Sequence, residues 1–290
     1  MDYPFYIPFN FTTIAANSLA NTEVVIPHDT LIHGMTTFVA SFSATSPYRI
    51  LFSDRYGAWS LSDEEISYFI FQSNAEKAWY LPSPLYIKKN TILNCRFNNQ
   101  SSGTPTVQVC PFGVAYPQGT HDPGRRPFIY SFFFNLGYPD PTLSSATITG
   151  YNVSMSIPIG KPPLEWDFEL TTVMFDYQTL AGSSLVAGFY QVEIYDRITK
   201  KVLFNVPCNH IHVTGGYVDN VLTANGLSAA GLNANNTWQH VLPTPVTFRK
   251  GSQLGCRAYQ APGFAASSYL ESNYLNRTVN LALLGNQIYG

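Results

Sequence analysis

Charge is scarce in this chain. Lys, Arg, Asp and Glu make up 12% of the 290 residues, about half of the roughly 25% usual in globular proteins. The formal net charge is −2, so nucleic-acid binding driven by counterion release has no basic surplus to draw on. Long apolar runs are missing too, and none approaches the ~18 residues of a membrane-spanning helix. The start, Met1-Asp2-Tyr3-Pro4, has neither the basic nor the apolar region of a signal peptide, so folding is expected where the chain is made. Cysteine is sparse: four residues, with no C-x-x-C pair, are too few for a disulfide scaffold. Free thiols are expected, with Cys95 and Cys256 as small buried hydrophobes and Cys110 on the face opposite Cys95. Asn, Ser, Thr, Gln and Tyr take the place of charge, with aromatics at 15%, hydrophobics at 45% and 20 residues each of Gly and Pro. This composition reads as a β-leaning protein, expected to be soluble, with ample material for a core. Triplets such as Asn152-Val153-Ser154 and Asn276-Arg277-Thr278 reflect abundant Asn, Ser and Thr rather than glycosylation.

An internal repeat organises what is present. Leu81-Pro82-Ser83-Pro84-Leu85-Tyr86-Ile87-Lys88-Lys89-Asn90 runs on through Thr91–Arg96. It matches Leu242-Pro243-Thr244-Pro245-Val246-Thr247-Phe248-Arg249-Lys250-Gly251, continuing through Ser252–Arg257, without a gap and 161 residues apart. Weaker echoes flank it in collinear order. Ile26-Pro27 reads against Ile157-Pro158, and Thr36-Thr37 against Thr171-Thr172, at offsets of 131 and 135. Asp54-Arg55 reads against Asp196-Arg197, and Thr106-Val107…Gly113 against Thr278-Val279…Gly285, at 142 and 172. An offset that only grows means tandem duplication, with longer loops in the second copy. The Pro/Gly-rich stretch 118–127 reads as the connection, giving a first domain over 1–117 and a second over 128–290.

Each copy alternates as a set of short strands. Leu93, Cys95 and Phe97 share one face, with Asn94 and Arg96 on the other, and Leu254 and Cys256 repeat the pattern. Val107/Val109 and Val279/Leu281 alternate likewise. Asn90 and Gly251 are the residue types that best tolerate positive φ, so one turn geometry explains both. Asp54 and Asp196 occupy hairpin tips, where a carboxylate accepts hydrogen bonds from the backbone two residues on. Helix is scarce: Ser62-Asp63-Glu64-Glu65 has the form of a capping box before Ile66, and Asp219–Asn233 is a second candidate.

Chemistry-bearing residues are few. Cys208-x-His210-x-His212 could offer metal ligands on one strand face. Positions i, i+2 and i+4 span about 13 Å of extended chain, too far for all three to reach one ion although two of them could, and ordinary loop or interface residues are the simpler reading. Glu165, Asp167 and Glu169 alternate with Trp166, Phe168 and Leu170. That row could hold calcium or serve a glycosidase, but any strand with one wet face shows the same pattern. His28, Asp29 and His33 make no triad by sequence proximity. Asp54/Arg55 and Asp196/Arg197 recur in both copies, which favours a shared structural role. No G-x-S-x-G, P-loop, H-E-x-x-H or Rossmann fingerprint occurs. The expectation is therefore no catalytic residue, no cofactor-binding residue and no metal ligand.

The repeat unit carries a resemblance. A hairpin with Asp-Arg, then L-P-x-P, a basic-Asn/Gly turn, an alternating strand and a final T-V-x-[VL]-x-x-x-G strand resembles the jelly-roll domains of bacteriophage virion proteins. Val192–Gly216, Leu242–Arg257 and Thr278–Gly290 resemble them most closely. Two such domains in one chain are similar to the double jelly-roll capsid proteins of tailless, membrane-containing phages. They are also similar to jelly-roll proteins that decorate the heads or collars of tailed phages. The resemblance implies an all-β fold of two tandem jelly-roll-like sandwich or barrel domains related by internal duplication, with few short helices. It also implies a non-enzymatic virion role, made in the host cytoplasm, with the chain itself and other virion proteins as partners. Homo-oligomerisation is expected, with no nucleic acid, no direct membrane insertion and no cofactor. Met1–Asn17, rich in Pro, Phe and Tyr, reads as an arm reaching a neighbour. The alternative is a carbohydrate- or receptor-binding β-sandwich, with Trp59, Trp79, Trp166 and Trp238 as candidate sugar platforms. Trp79 and Trp238 both precede an L-P-x-P element, which favours packing for that pair.

Overall fold

The computed structural model describes residues 2–40, 48–67, 71, 78–100, 103–135, 155–156, 161–179, 189–199, 202–209, 237–260 and 277–289. They form seventeen strands. The first nine are β1 (Tyr3–Tyr6), β2 (Phe9–Phe11), β3 (Ser18–Val25), β4 (Asp29–Ala40), β5 (Tyr48–Asp54), β6 (Ile66–Ser67), β7 (Trp79–Ile87), β8 (Ile92–Asn99) and β9 (Thr106–Tyr116). The remaining eight are β10 (Arg125–Asn135), β11 (Met155–Ser156), β12 (Asp167–Thr179), β13 (Phe189–Asp196), β14 (Val202–Asn209), β15 (Thr237–Phe248), β16 (Leu254–Gln260) and β17 (Arg277–Ile288).

The strands assort into four antiparallel sheets. One pair is β1-β9-β4-β7, with β2 also on β9, and β3-β8-β5-β6; the other is β10-β17-β12-β15 and β11-β16-β13-β14. If β1 and β2 count as one broken first strand, both pairs have the same order, 1-8-3-6 over 2-7-4-5. Two sandwiches with one connectivity are two tandem jelly rolls, and this shared topology is the structural form of the duplication.

Register refines the repeat. β4 bulges between Ile32 and Gly34, and β12 between Leu170 and Thr172. Ile32 pairs with Gly113 as Leu170 pairs with Gly285, so these strands correspond at an offset of 138. Ile26 exchanges backbone hydrogen bonds with Thr91 and Asn90, as Leu164 does with Ser252 and Gly251. The counterpart of Ile26 is therefore Leu164 and not Ile157, and Thr36 corresponds to Met174 rather than Thr171. The offsets of 131 and 135 are matches of common residue types, whereas 142, 161 and 172 coincide with the strand register.

The turn chemistry is present as expected. Asn90 has φ 67° and Gly251 φ 85°. Along β8, Leu93, Cys95, Phe97 and Asn99 are buried while the residues between them are half-buried. Cys95, Cys110 and Cys256 are free thiols, and burial raises the Cys95 thiol well above its ordinary range. Gly113 and Gly285 have no room for a side chain: a Cβ there would run into the backbone oxygens of Leu31 and Glu169 respectively.

Two expectations fail. Residues 2–17 are not a free arm: β1 and β2 pair with β9, and Ile7, Phe9, Phe11 and Ile14 are buried in the core. Asn99 Nδ2 donates to Ala15 O at 2.9 Å and fixes the end of the segment. Ser62–Glu65 is not a helix start either. It is a run of bends with an isolated parallel bridge from Ser62 to Ile129, and β6 follows at once. Local capping chemistry loses to partners distant in sequence. The second helix candidate, 219–233, lies outside the described residues, as do His210 and His212; Cys208 is in β14, opposite Tyr190.

Candidate functional site

The carboxylates that drew attention in the sequence mostly hold turns. Asp54 accepts from Tyr56 N at 3.0 Å and Trp59 N at 2.9 Å. Asp196 accepts from Ile198 N at 3.0 Å, Thr199 Oγ1 at 3.0 Å and Gln253 N at 3.2 Å. Burial opposes the ionised form of Asp196, but these donors outweigh it and hold the group below its ordinary pKa. Arg55 N and Arg197 N bond to Ile92 O and Gln253 O, another equivalent pair.

Asp29 and Asp167 do a second shared task that the sequence comparison missed. Asp29 accepts Lys89 N at 2.8 Å, and Asp167 accepts Lys250 N at 2.8 Å. The backbone bond from Lys89 lowers the pKa of Asp29; the bond from Lys250, followed by Arg249, lowers that of Asp167. Arg249 Nη1 lies 2.8 Å from Asp167. Glu169 meets Arg125 at 3.7 Å. The acidic row of β12 is thus partnered by cations and a turn, while Phe168 and Leu170 face the core. His28 packs edge-on against Tyr3, and His33 is the half-buried bulge residue of β4. The two make no triad with Asp29, whose carboxylate is engaged with Lys89 and Thr120. Among the described residues no three His, Cys, Asp or Glu side chains cluster at metal-binding distance.

The tryptophans divide. Trp79 is buried and stacks edge-on against Phe71 at 4.8 Å, and Trp59 packs partly buried against the core. Trp166 is 41% exposed, with Lys250 Nζ 5.6 Å from its ring centre and Tyr289 at 6.0 Å. The Trp238 side chain lies outside the described residues; its backbone pairs with Phe175 in β15.

The densest constellation lies where the two sandwiches meet. Lys161 is buried, and its Nζ donates to Asp63 Oδ2 at 2.6 Å and Glu64 Oε1 at 2.5 Å, 5.0 Å above the Phe132 ring. Ser131 N donates to Asp63 Oδ1 at 2.9 Å. Ile129 N bonds to Leu61 O and Asp63 N to Ile129 O, a short parallel ladder between the two sandwiches. Burial pushes the Asp63 pKa up, and Lys161 opposes that rise. Ser83 Oγ of β7 meets Asn286 Oδ1 of β17 at 2.6 Å. Four residues on the outer face of the second sandwich, Ile129, Met174, Ala282 and Leu284, join the core cluster of the first. The arrangement can fix two β-sandwiches rigidly.

No family model and no curated protein matches the chain. Solved structures of similar arrangement include the major capsid protein P2 of bacteriophage PM2, at 9% identity and TM-score 0.45 over 99% of this chain and 98% of that one. The PBCV-1 virus capsid aligns at 9% and 0.46 over 99% and 94%. PNGase F, a glycosylasparaginase from Flavobacterium meningosepticum, aligns at 9% and 0.43 over 98% and 96%. No role transfers to this chain from likenesses of this size.

Proposed function

We propose that the chain is a non-enzymatic structural subunit of a virion, a tandem jelly-roll component of a bacteriophage capsid shell or of its exterior decoration or collar. It is made in the host cytoplasm and acts through contacts with copies of itself and with other virion proteins. The observation that carries this reading is the junction. Two sandwiches of one topology are locked by the buried Lys161 paired with Asp63 and Glu64, a two-bond ladder and an apolar face, which makes one rigid building block. Low charge density supports it, because many copies packed side by side then repel little. The division into domains at 1–117 and 128–290, joined through 118–127, belongs to the same proposal. Quantitative mass spectrometry of purified particles tests it: the chain is expected among their abundant proteins, and its absence would sink the reading.

Trp166 favours a second reading. It is the exposed tryptophan among the described residues, and with Tyr289 and Lys250 beside it forms a platform of the kind that stacks on sugars. A glycan-array screen of the purified chain decides this. Binding lost on Trp166→Ala supports it, and no binding to any glycan removes it.

A further inference from the structure

Lys161 and Asp63 are placed to react with each other as well as to attract each other. Lys161 Nζ lies 2.6 Å from Asp63 Oδ2, with the carboxyl carbon one bond beyond. Groups held this close before reaction have already given up the freedom that a condensation in solution must lose. The fold fixes both ends. Ser60 Oγ donates to Ser62 O and Ser62 Oγ to Glu64 O, pinning the turn that carries Asp63. On the other side Lys161 N bonds to Leu254 O, and Leu164 exchanges backbone bonds with Ser252 and Gly251.

The surroundings supply what amide formation needs. Ser131 N donates to Asp63 Oδ1 at 2.9 Å, the position of a donor that stabilises negative charge developing on that oxygen. Glu64 Oε1 lies 2.5 Å from Nζ as a second carboxylate, and its side chain is 47% exposed, so it is free to take a proton and pass it on. The Lys161 and Asp63 side chains are only 10% and 17% exposed, with the Phe132 ring 5.0 Å from Nζ. Holding two charges in such a site is costly, and a neutral product relieves that cost. Burial raises the Asp63 pKa and so favours the protonated carboxyl, the form that loses its oxygen as water.

We propose that Lys161 and Asp63 condense to an isopeptide bond between the two sandwiches, with Glu64 as proton carrier. The step balances without a co-reactant. Of the three protons on the Lys161 ammonium, one stays on nitrogen as the amide N–H. One passes directly to Oδ2, and one passes through Glu64 to the same oxygen, which leaves as water. The nitrogen lone pair forms the bond to Cγ, and the Cγ–Oδ2 bond breaks with its electron pair going to the water. The charges of Lys161 and Asp63 vanish together, and Glu64 ends as it began. The freshly folded chain holds the ion pair, and the amide forms from it with time. It welds the turn between β5 and β6 to the segment that leads into β12, so the sandwiches can no longer part at this point.

Intact-mass spectrometry of the full chain, unfolded in denaturant just before measurement, tests the bond. Wild type aged in the folded state at neutral pH is expected to lose the mass of one water, while wild type aged in urea keeps its full mass. Tryptic digestion of the aged chain is expected to yield one branched peptide joining the Lys161 segment to the Asp63 segment. Lys161→Arg, which keeps the charge but not the primary amine, is expected to stay at full mass. Glu64→Gln is expected to lose the water about 100-fold more slowly, with its near-ultraviolet circular dichroism unchanged. A folded wild type that stays at full mass however long it is aged would refute the cross-link. A lost water without the branched peptide would mean a succinimide instead and would refute it equally. Closure of Glu64→Gln at the wild-type rate would remove Glu64 as the proton carrier.

Discussion

Asp54 and Asp196 show how little of this protein's scarce charge is free for chemistry. Each carboxylate lies under a hairpin tip and accepts backbone N–H groups that would otherwise lack partners. Asp54→Ala removes two such acceptors at a largely buried position and is expected to cost about 2–3 kcal/mol, read as a lowered urea midpoint. Asp29, Asp167 and Asp196 all have depressed pKa values, so they stay ionised in the folded chain to lower pH than in the unfolded one. Their contribution is complete above the unfolded carboxylate range, at about pH 4, and is lost as pH falls through the folded values. Asp63 has the opposite sign. Its raised pKa means that the folded chain takes up that proton first, so acidification through that range favours folding at this residue. Asp29→Asn and Asp196→Asn are therefore expected to flatten the acid-side loss of stability, measured as urea midpoints between pH 7 and pH 3. Asp63→Asn, which removes a group whose protonation favours folding, is expected to make that loss slightly steeper.

At the scale of strands, the two closing strands have different partners on their outer faces. β9 alternates, with Val107 and Val109 buried and Gln108 exposed, the pattern of a strand packed on one face. In β17, Leu281-Ala282-Leu283-Leu284 is buried on both faces, the pattern of a strand covered twice. That contrast marks which sandwich is covered, whereas the sequence shows Val279/Leu281 alternating as Val107/Val109 do; the alternation of β8 and the Asn90 and Gly251 turns were readable. The Ser62–Glu65 stretch was not, because its acidic residues answer to Lys161 and Arg96, which only the tertiary fold brings near. Nor was the pairing of Asp29 with Asp167. A bulge in each strand and sequence divergence hide the offset of 138, and what the two copies share is a hydrogen bond to a turn, not a motif. The Met1–Asn17 segment misled because Pro4 and Pro8 break its alternation, although Phe9 and Phe11 restore it. The closing strands also make a prediction. Gly113→Ala and Gly285→Ala each force a methyl group against backbone oxygen and are expected to cost at least about 1–3 kcal/mol. Gly57→Asn, at a positive φ with open space around it, is expected to cost much less. Chemical denaturation of the three variants makes the comparison.

For the whole molecule, the junction decides whether two sandwiches behave as one body. Lys161→Met leaves the Asp63 carboxylate without its cation beside a buried junction, while the half-exposed Glu64 stays solvated, and is expected to cost about 2–3 kcal/mol at neutral pH. Calorimetry is expected to show the single transition of the wild type splitting into two, one for each sandwich. The penalty is expected to shrink in acid, where a protonated Asp63 no longer needs Lys161. A variant that still unfolds in one transition, at the wild-type temperature, would show that the apolar face and the short ladder suffice to hold the junction. The tandem duplication, the all-β class and the free thiols were legible from spacing and alternation. The use of the duplication was not, because it depends on which outer face the chain buries against itself, and no local pattern encodes that choice alone.

As the proposed virion subunit, the tandem block is expected to self-associate. Light scattering of the purified chain across a concentration series measures that property directly. The account predicts a discrete multimer, or a mass that grows with concentration. A single-chain mass at every concentration would contradict it.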